Sequence, residues 1–200
     1  MAGQDVLLKV ENITKRFGGI VEVDHVSLEV KRGEIISIIG PNGAGKTTVF
    51  NMLTGVYEVD EGTIIFRGKE IQNQKPGSIV AAGISRTFQN IRLFSDLRVI
   101  ENVLIGAHIR TNYHFFQSIF RTKKFRKEED KVTEEAIRLL KSIDLDHRRD
   151  EYASNLPYGE QRKLEIARAI ATGACLILLD EPAAGMNPQE SAELMEFIYK

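Results

Sequence analysis

Residues 40–48 read GPNGAGKTT, and they fit the spacing G-x-x-x-x-G-K-[ST] with Gly40, Gly45, Lys46 and Thr47 in place. Each residue type has a physical reason to stand where it does. Gly43 and Gly45 let the backbone approach phosphate oxygens with no Cβ in the way. The loop as a whole, with Pro41, Asn42 and Ala44 between the glycines and Thr48 at its exit, forms a concave nest of N–H groups for an anion. Lys46 sets a point charge against the β- and γ-phosphates of a nucleotide. At about 4 Å and an effective dielectric near 20, one such pair contributes ~4 kcal/mol of attraction. The Thr47 hydroxyl suits Mg2+. A glycine-rich turn that binds nothing is the plain alternative, and the lysine, the threonine and the flanking elements argue against it together.

Other stretches carry complementary chemistry. CLILLDEP runs from apolar residues into Asp180 and Glu181. A carboxylate at the C-terminal end of a buried parallel strand lies where α/β folds bind ligands. Asp180 can hold Mg2+ directly or through water, and Glu181 can polarise an attacking water. Gln89, in RTFQN, can reach the metal or that water. Phe17, in KRFGG, can stack on a purine without reading its hydrogen-bonding edge. SNLPYGEQRKLEIARAI brings a second anion-binding turn, because Tyr158 and Gly159 open an amphipathic helix whose positive end points at the turn. For Glu181, Gln89 and Phe17 the bland alternatives are a solvated strand-end acid, a surface amide and a core aromatic.

These residues need a frame. LLKVENITKRF and VEVDHVSLEV alternate apolar and polar residues, which predicts half-buried antiparallel strands. EIISIIG is a continuous β-branched run and predicts a strand buried on both faces, as does CLILLD. KTTVFNMLTGVY predicts a helix, and GTIIFRGKEI a strand and turn. From about residue 91 the spacing turns helical, with Val132, Ala136, Leu139, Leu140 and Ile143 on one face. The expected fold is α/β: one domain over 1–200, with a β part and phosphate-loop core at 1–90, a helical part at 91–155, and a return to the core at 156–200. PQESAELMEFIYK carries no stop signal, so further C-terminal sequence is expected.

Composition narrows the class. The chain has 200 residues, a net charge of -1 and 42% hydrophobic residues, enough for a good-sized core. The near-neutral balance lends no support to nucleic-acid binding. A single cysteine, Cys175, excludes an internal disulfide and fits a reducing compartment. The first residues, MAGQDVLLKV, lack the basic-then-apolar layout of a signal peptide, and no apolar run reaches the roughly 18–20 residues of a membrane span. A soluble cytoplasmic protein is expected, with any span supplied by another chain.

Taken in order along the whole chain, these motifs resemble the nucleotide-binding domain of ABC transporters. Phe17 matches the adenine-stacking position, GPNGAGKTT the Walker A loop, Gln89 the glutamine loop, LPYGE the signature usually written LSGGQ, and LLDE the Walker B strand. RTFQNIRLF, LPYGEQRKLEIARA and DEPAAGMNP are similar to the LivG-type ATPase of branched-chain amino acid importers. The resemblance implies a P-loop ATPase with an N-terminal antiparallel β subdomain and an inserted helical subdomain, using ATP and Mg2+. It implies head-to-tail pairing with a second ABC ATPase subunit, LivF-type or another copy, so that Pro157, Tyr158, Gly159 and Glu160 complete a partner's ATP site. Two transmembrane permease subunits and, indirectly, a solute-binding protein follow from it, with no nucleic acid. The expected location is the cytoplasmic face of the cell membrane.

The sequence departs from that family's pattern at Pro157 for Ser, Glu160 for Gln and Asn187 for Asp. Glu160 would repel phosphate unless it turned toward Arg162 or Lys163. The family's switch histidine falls some thirty residues beyond Glu181, past Lys200. His25, His108, His114 and His147 all precede the Walker B strand, so the chain as it stands is expected to hydrolyse ATP poorly. NYHFFQSIFRTKKFRK mixes aromatic and basic residues and reads as a permease-docking surface, a lipid-facing patch or a local hairpin. The alternatives to a branched-chain importer are another transport system, a DNA-repair or chromosome ATPase, a translation regulator, and a non-catalytic binding module.

Overall fold

The computed structural model describes residues 6–109 and 123–199, with side chains in the second stretch from residue 127 onward. The chain divides into two compact units, Met1–Ile84 and Ser85–Lys200.

In the first unit β1 (Val6–Phe17) and β2 (Ile20–Lys31) form a long antiparallel hairpin that reverses at Gly18 and Gly19. Alternation holds over the middle of β1, where Leu8 and Val10 are buried while Lys9 and Glu11 pair on the other face at 2.7 Å; the register then shifts between Val10 and Ile13, which brings Ile13 into the core out of phase. β3 (Glu61–Phe66) takes the second edge of β1, and β4 (Lys69–Glu70) closes the order β2-β1-β3-β4. Helix α1 (Lys46–Leu53) buries Val49, Met52 and Leu53. Helix α2 (Pro76–Ala82) opens on proline, whose missing N–H costs nothing at that position, and ends at Gly83 in the left-handed region.

Two strand expectations are corrected. Residues 34–40 form no strand, and Ile35, Ile36 and Ile39 are 57%, 42% and 91% exposed. A doubly buried strand needs a layer on each face, and the antiparallel sheet of this unit is complete without it. The CLILLD run is paired only over β6 (Leu176–Leu178), where Leu178 alone is buried; Leu176 and Ile177 are half-buried and Cys175 is exposed.

The second unit opens with β5 (Ile84–Arg86), which pairs with β6. Among the described residues four α-helices follow: α3 (Val99–His108), α4 (Lys123–Ser142), α5 (Tyr158–Ala171) and α6 (Pro188–Tyr199). The predicted face of α4 is the one used. Ala136, Leu140 and Ile143 are buried against Val99 and Val103 of α3 and Leu164 and Ala167 of α5, with Val132 and Leu139 packed alongside. Helices α3 and α5 meet backbone to backbone, since a Cβ on Gly106 would fall 2.4 Å from the Arg168 carbonyl oxygen. Among the described residues no helix is long and apolar enough to cross a membrane. Of the aromatic and basic stretch at 112–127, residues 112–122 lie outside the described residues; 123–126 are described by backbone alone, in α4, and Lys127 in full.

Candidate functional site

The phosphate-loop residues lie in the first unit. Gly43 and Gly45 have φ of 82° and 78°, a backbone open to glycine at little cost. Around Gly43 a Cβ would meet nothing, so conformation alone requires glycine there. At Gly45 a Cβ would also lie 2.7 Å from the Glu22 carbonyl oxygen, which locks the loop against β2. The first rung of α1 runs from Val49 N–H to the Gly45 carbonyl at 2.9 Å. The N–H groups of Lys46, Thr47 and Thr48 precede that rung and face out of the helix start, the donor set an anion needs. Lys46 Nζ lies along the same loop, donating to the carbonyls of Gly40 at 2.7 Å and Pro41 at 2.8 Å. The threonines divide. Thr47 is exposed, whereas Thr48 is buried and its hydroxyl donates to Glu22 at 2.6 Å, which leaves its backbone N–H as its contribution to the loop. Asn42 and Ala44 are exposed on the loop.

Phe17 ends β1, 40% exposed, with Tyr57 meeting it edge to face at 5.3 Å and the Lys15 ammonium 5.5 Å from its ring centre. It is a supported surface aromatic rather than a core residue. Asp60 fixes the strand below it, accepting from Lys15 Nζ at 2.8 Å and from the Arg16 N–H at 2.6 Å. Those bonds hold its carboxyl below the usual carboxylate range.

In the second unit the two candidate polarising groups meet: Gln89 Nε2 donates to Glu181 Oε2 at 3.1 Å, both side chains exposed. Glu181 has φ of 46°, left-handed for a residue with a Cβ, at a cost on the order of 1 kcal/mol. That turn swings its carboxylate toward Gln89 at the end of β6. Asp180 is 5% exposed, and its Oδ2 accepts from Arg86 at 2.8 Å. A carboxylate and an amide oxygen in this unit are hard-oxygen donors of the kind that Mg2+ takes.

The second candidate anion-binding turn lies at the start of α5. Pro157 is the residue before the helix, and its carbonyl accepts from Gln161 N–H at 2.9 Å. The N–H groups of Tyr158, Gly159 and Glu160 therefore precede the helical ladder. The Tyr158 hydroxyl donates to the Ala184 carbonyl at 3.0 Å, and a Cβ on Gly159 would meet the Glu190 carboxylate at 2.9 Å. Glu160 turns to neither Arg162 nor Lys163. Its carboxylate lies 3.2 Å from Arg148 Nε, an ion pair without hydrogen-bond alignment, because Lys163 is taken by Glu193 at 2.9 Å and Arg162 by Glu165 at 2.7 Å. Asn187 caps α6: its Oδ1 accepts from Glu190 N–H, and Glu190 accepts from Asn187 N–H, each at 2.9 Å.

Residues that the sequence reading missed hold this arrangement. Arg162 is fully buried and donates to the carbonyls of Phe88, Glu181 and Pro182 at 2.6, 3.0 and 3.0 Å. Its partner Glu165 accepts the Arg92 N–H at 3.2 Å. Asn102, 0% exposed, clamps the loop before α3 through the N–H and carbonyl of Phe94 at 3.0 and 3.1 Å. The available signal was a charged pair three residues apart on a helix whose neighbours Leu164, Ile166 and Ala167 are apolar.

Residues 23–184 match the ABC transporter family, so the chain belongs to it. It is an ATP-binding cassette, an ATPase of the P-loop class. It is 45% identical over 192 residues to the high-affinity branched-chain amino acid transport ATP-binding protein LivG of Escherichia coli, covering 96% of this chain and 75% of that one. To the corresponding protein BraF of Pseudomonas aeruginosa it is 44% identical over 194 residues, covering 97% and 76%. An ATP-binding cassette of an ABC transporter solved in its ADP conformation superposes with a TM-score of 0.83 at 37% identity, over 98% of this chain and 76% of the other. A nucleotide-free cassette gives 0.81 at 36% identity, over 98% and 76%.

Proposed function

We propose that the chain is the ATP-hydrolysing subunit of an importer of branched-chain amino acids. Identity to LivG and BraF supports the solute class. The meeting of Gln89 and Glu181 beside buried Asp180 supports the chemistry and carries the reading. In it, the loop from Gly40 to Thr48 wraps the phosphates, Lys46 neutralises the β- and γ-phosphates, and Phe17 stacks on the base. Thr47, Asp180 and Gln89 hold Mg2+, which when bound offsets phosphate charge. Glu181 takes a proton from the attacking water, which Gln89 orients.

Pro157, Tyr158, Gly159 and Glu160 act on a neighbour. Their helix start caps the γ-phosphate held by a second cassette, a LivF-type chain or another copy, so that ATP joins the pair and hydrolysis releases it. Two permease subunits carry the path through the membrane and place this chain on its cytoplasmic face. A solute-binding protein delivers the cargo to them, and nucleic acid has no part. The test uses the complete transporter with Glu181→Gln. Retained Mg-ATP binding, ATP-dependent pairing and lost turnover support the reading; undiminished turnover removes Glu181 from the chemistry.

A further inference from the structure

The start of α5 and the Gln89–Glu181 pair serve different ATP sites in the reading above, on which this inference rests. Within one chain they are joined by a single buried side chain. Arg162 lies one turn inside α5 from Gly159. Its Nε donates to the Pro182 carbonyl at 3.0 Å, one terminal nitrogen to Phe88 at 2.6 Å, and the other to Glu181 at 3.0 Å and Gln89 at 3.3 Å. Glu165 completes the clamp with the opposite polarity. One carboxylate oxygen holds Arg162 at 2.7 Å, and the other accepts the N–H groups of Arg92 at 3.2 Å and Phe88 at 3.5 Å. Both side chains are at most 1% exposed. The loop carrying Gln89 is thus gripped through its carbonyls by an arginine and through its amides by a glutamate. The same arginine grips the backbone on both sides of the Glu181–Pro182 bond.

We propose that Arg162, braced by Glu165, is a positioning residue that carries the docking of the α5 start on a neighbour's nucleotide to Gln89 and Glu181 of its own chain. The planar guanidinium suits the role, since its N–H groups diverge in a fixed fork and move as one body. A shift of α5 then displaces the carbonyls of Gln89 and Glu181 together, so the neighbour's nucleotide sets the placement of this chain's polarising pair. A lysine keeps the charge and the Glu165 pair but offers one compact ammonium, which cannot span Phe88 and Pro182 together.

The test places Arg162→Lys in the complete transporter and separates docking from turnover. ATP-dependent pairing is measured by size-exclusion chromatography in a Glu181→Gln background, and kcat and KM by phosphate release without it. The expected result is pairing and KM within about twofold of the parent, with kcat lowered at least tenfold. A kcat within twofold of the parent overturns the proposal. So does loss of pairing in folded protein, which would make Arg162 part of the docking surface. If Arg162→Lys does not fold, Glu165→Gln is judged by the same readouts, since it keeps the acceptor and removes the charge that braces the fork. Turnover that survives Glu181→Gln sinks the catalytic reading instead, so the two failures are distinguishable.

Discussion

Gln89 Nε2 lies 3.1 Å from Glu181 Oε2, although 92 positions separate the two in the chain. The amide donates and the carboxylate accepts, so the Gln89 side chain fixes the direction of the Glu181 carboxylate at the end of β6. Replacing Glu181 by glutamine keeps the shape and removes the base. Turnover in the complete transporter is expected to fall by roughly 10²–10⁴-fold. Binding of a fluorescent ATP analogue, measured in parallel, stays within a few-fold of the parent.

Gly45→Ala meets two obstacles, a φ of 78° and the Glu22 carbonyl oxygen 2.7 Å from the new Cβ. A loss of about 1–3 kcal/mol in folding stability is expected, read by urea denaturation. Gly43→Ala shares the unusual φ of 82° and has open space for the Cβ, so it loses less. Equal losses at the two positions would remove the contact with β2 from the explanation.

Phe17 presents its ring at the surface, 40% exposed, with Tyr57 steeply inclined to it at 5.3 Å. Stacking on a base is worth about 1–3 kcal/mol and ignores the hydrogen-bonding edge. Phe17→Ala is therefore expected to weaken ATP and GTP binding by the same factor, roughly 5- to 150-fold, in equilibrium titrations. Selective loss of one nucleotide would assign the base contact to another residue.

Asp60 links pH to the hairpin. Its carboxyl sits below the ordinary value of 3.8, first through the Lys15 hydrogen bond and then through the Arg16 N–H. A group lowered on folding adds stability above its unfolded value and loses it as pH falls through the folded one. Carbon-detected NMR titration should place the Asp60 midpoint below 3.8, and Lys15→Met should raise it. A midpoint unmoved by that substitution would contradict the ordering of causes.

Asn187 stands where the resemblance suggested aspartate, and its geometry explains what it does in this chain. It exchanges hydrogen bonds with Glu190 across the first turn of α6. Asn187→Ala should cost about 1 kcal/mol, whereas Asn187→Asp keeps the cap, a difference visible in thermal melts.

The legible parts of the sequence were those in which local chemistry dictates local geometry. Alternation gave the β1–β2 hairpin, helical spacing gave the buried face of α4, and the glycine pattern gave the loop before α1. Cover was not legible from composition: residues 34–40 look like a core strand, yet Ile39 is 91% exposed. Nor was partner choice among charges. Glu160 had basic neighbours at 162 and 163, and it pairs with Arg148 because those two are engaged elsewhere. Long-range ties such as Arg86 to Asp180 leave no local pattern, since the residues that choose each other are 94 positions apart.

Thr48 hands its hydroxyl to Glu22 at 2.6 Å, and through that bond the base of the phosphate loop is anchored to the start of β2, beside the reversal of the hairpin that carries Phe17. In the proposed reading, gripping the triphosphate and receiving the base are therefore one mechanical event for this unit. A tug on the loop at Lys46 travels along β2 to the tip of the hairpin, so a reporter placed at the Gly18–Gly19 reversal would register the tail of the nucleotide as well as its head.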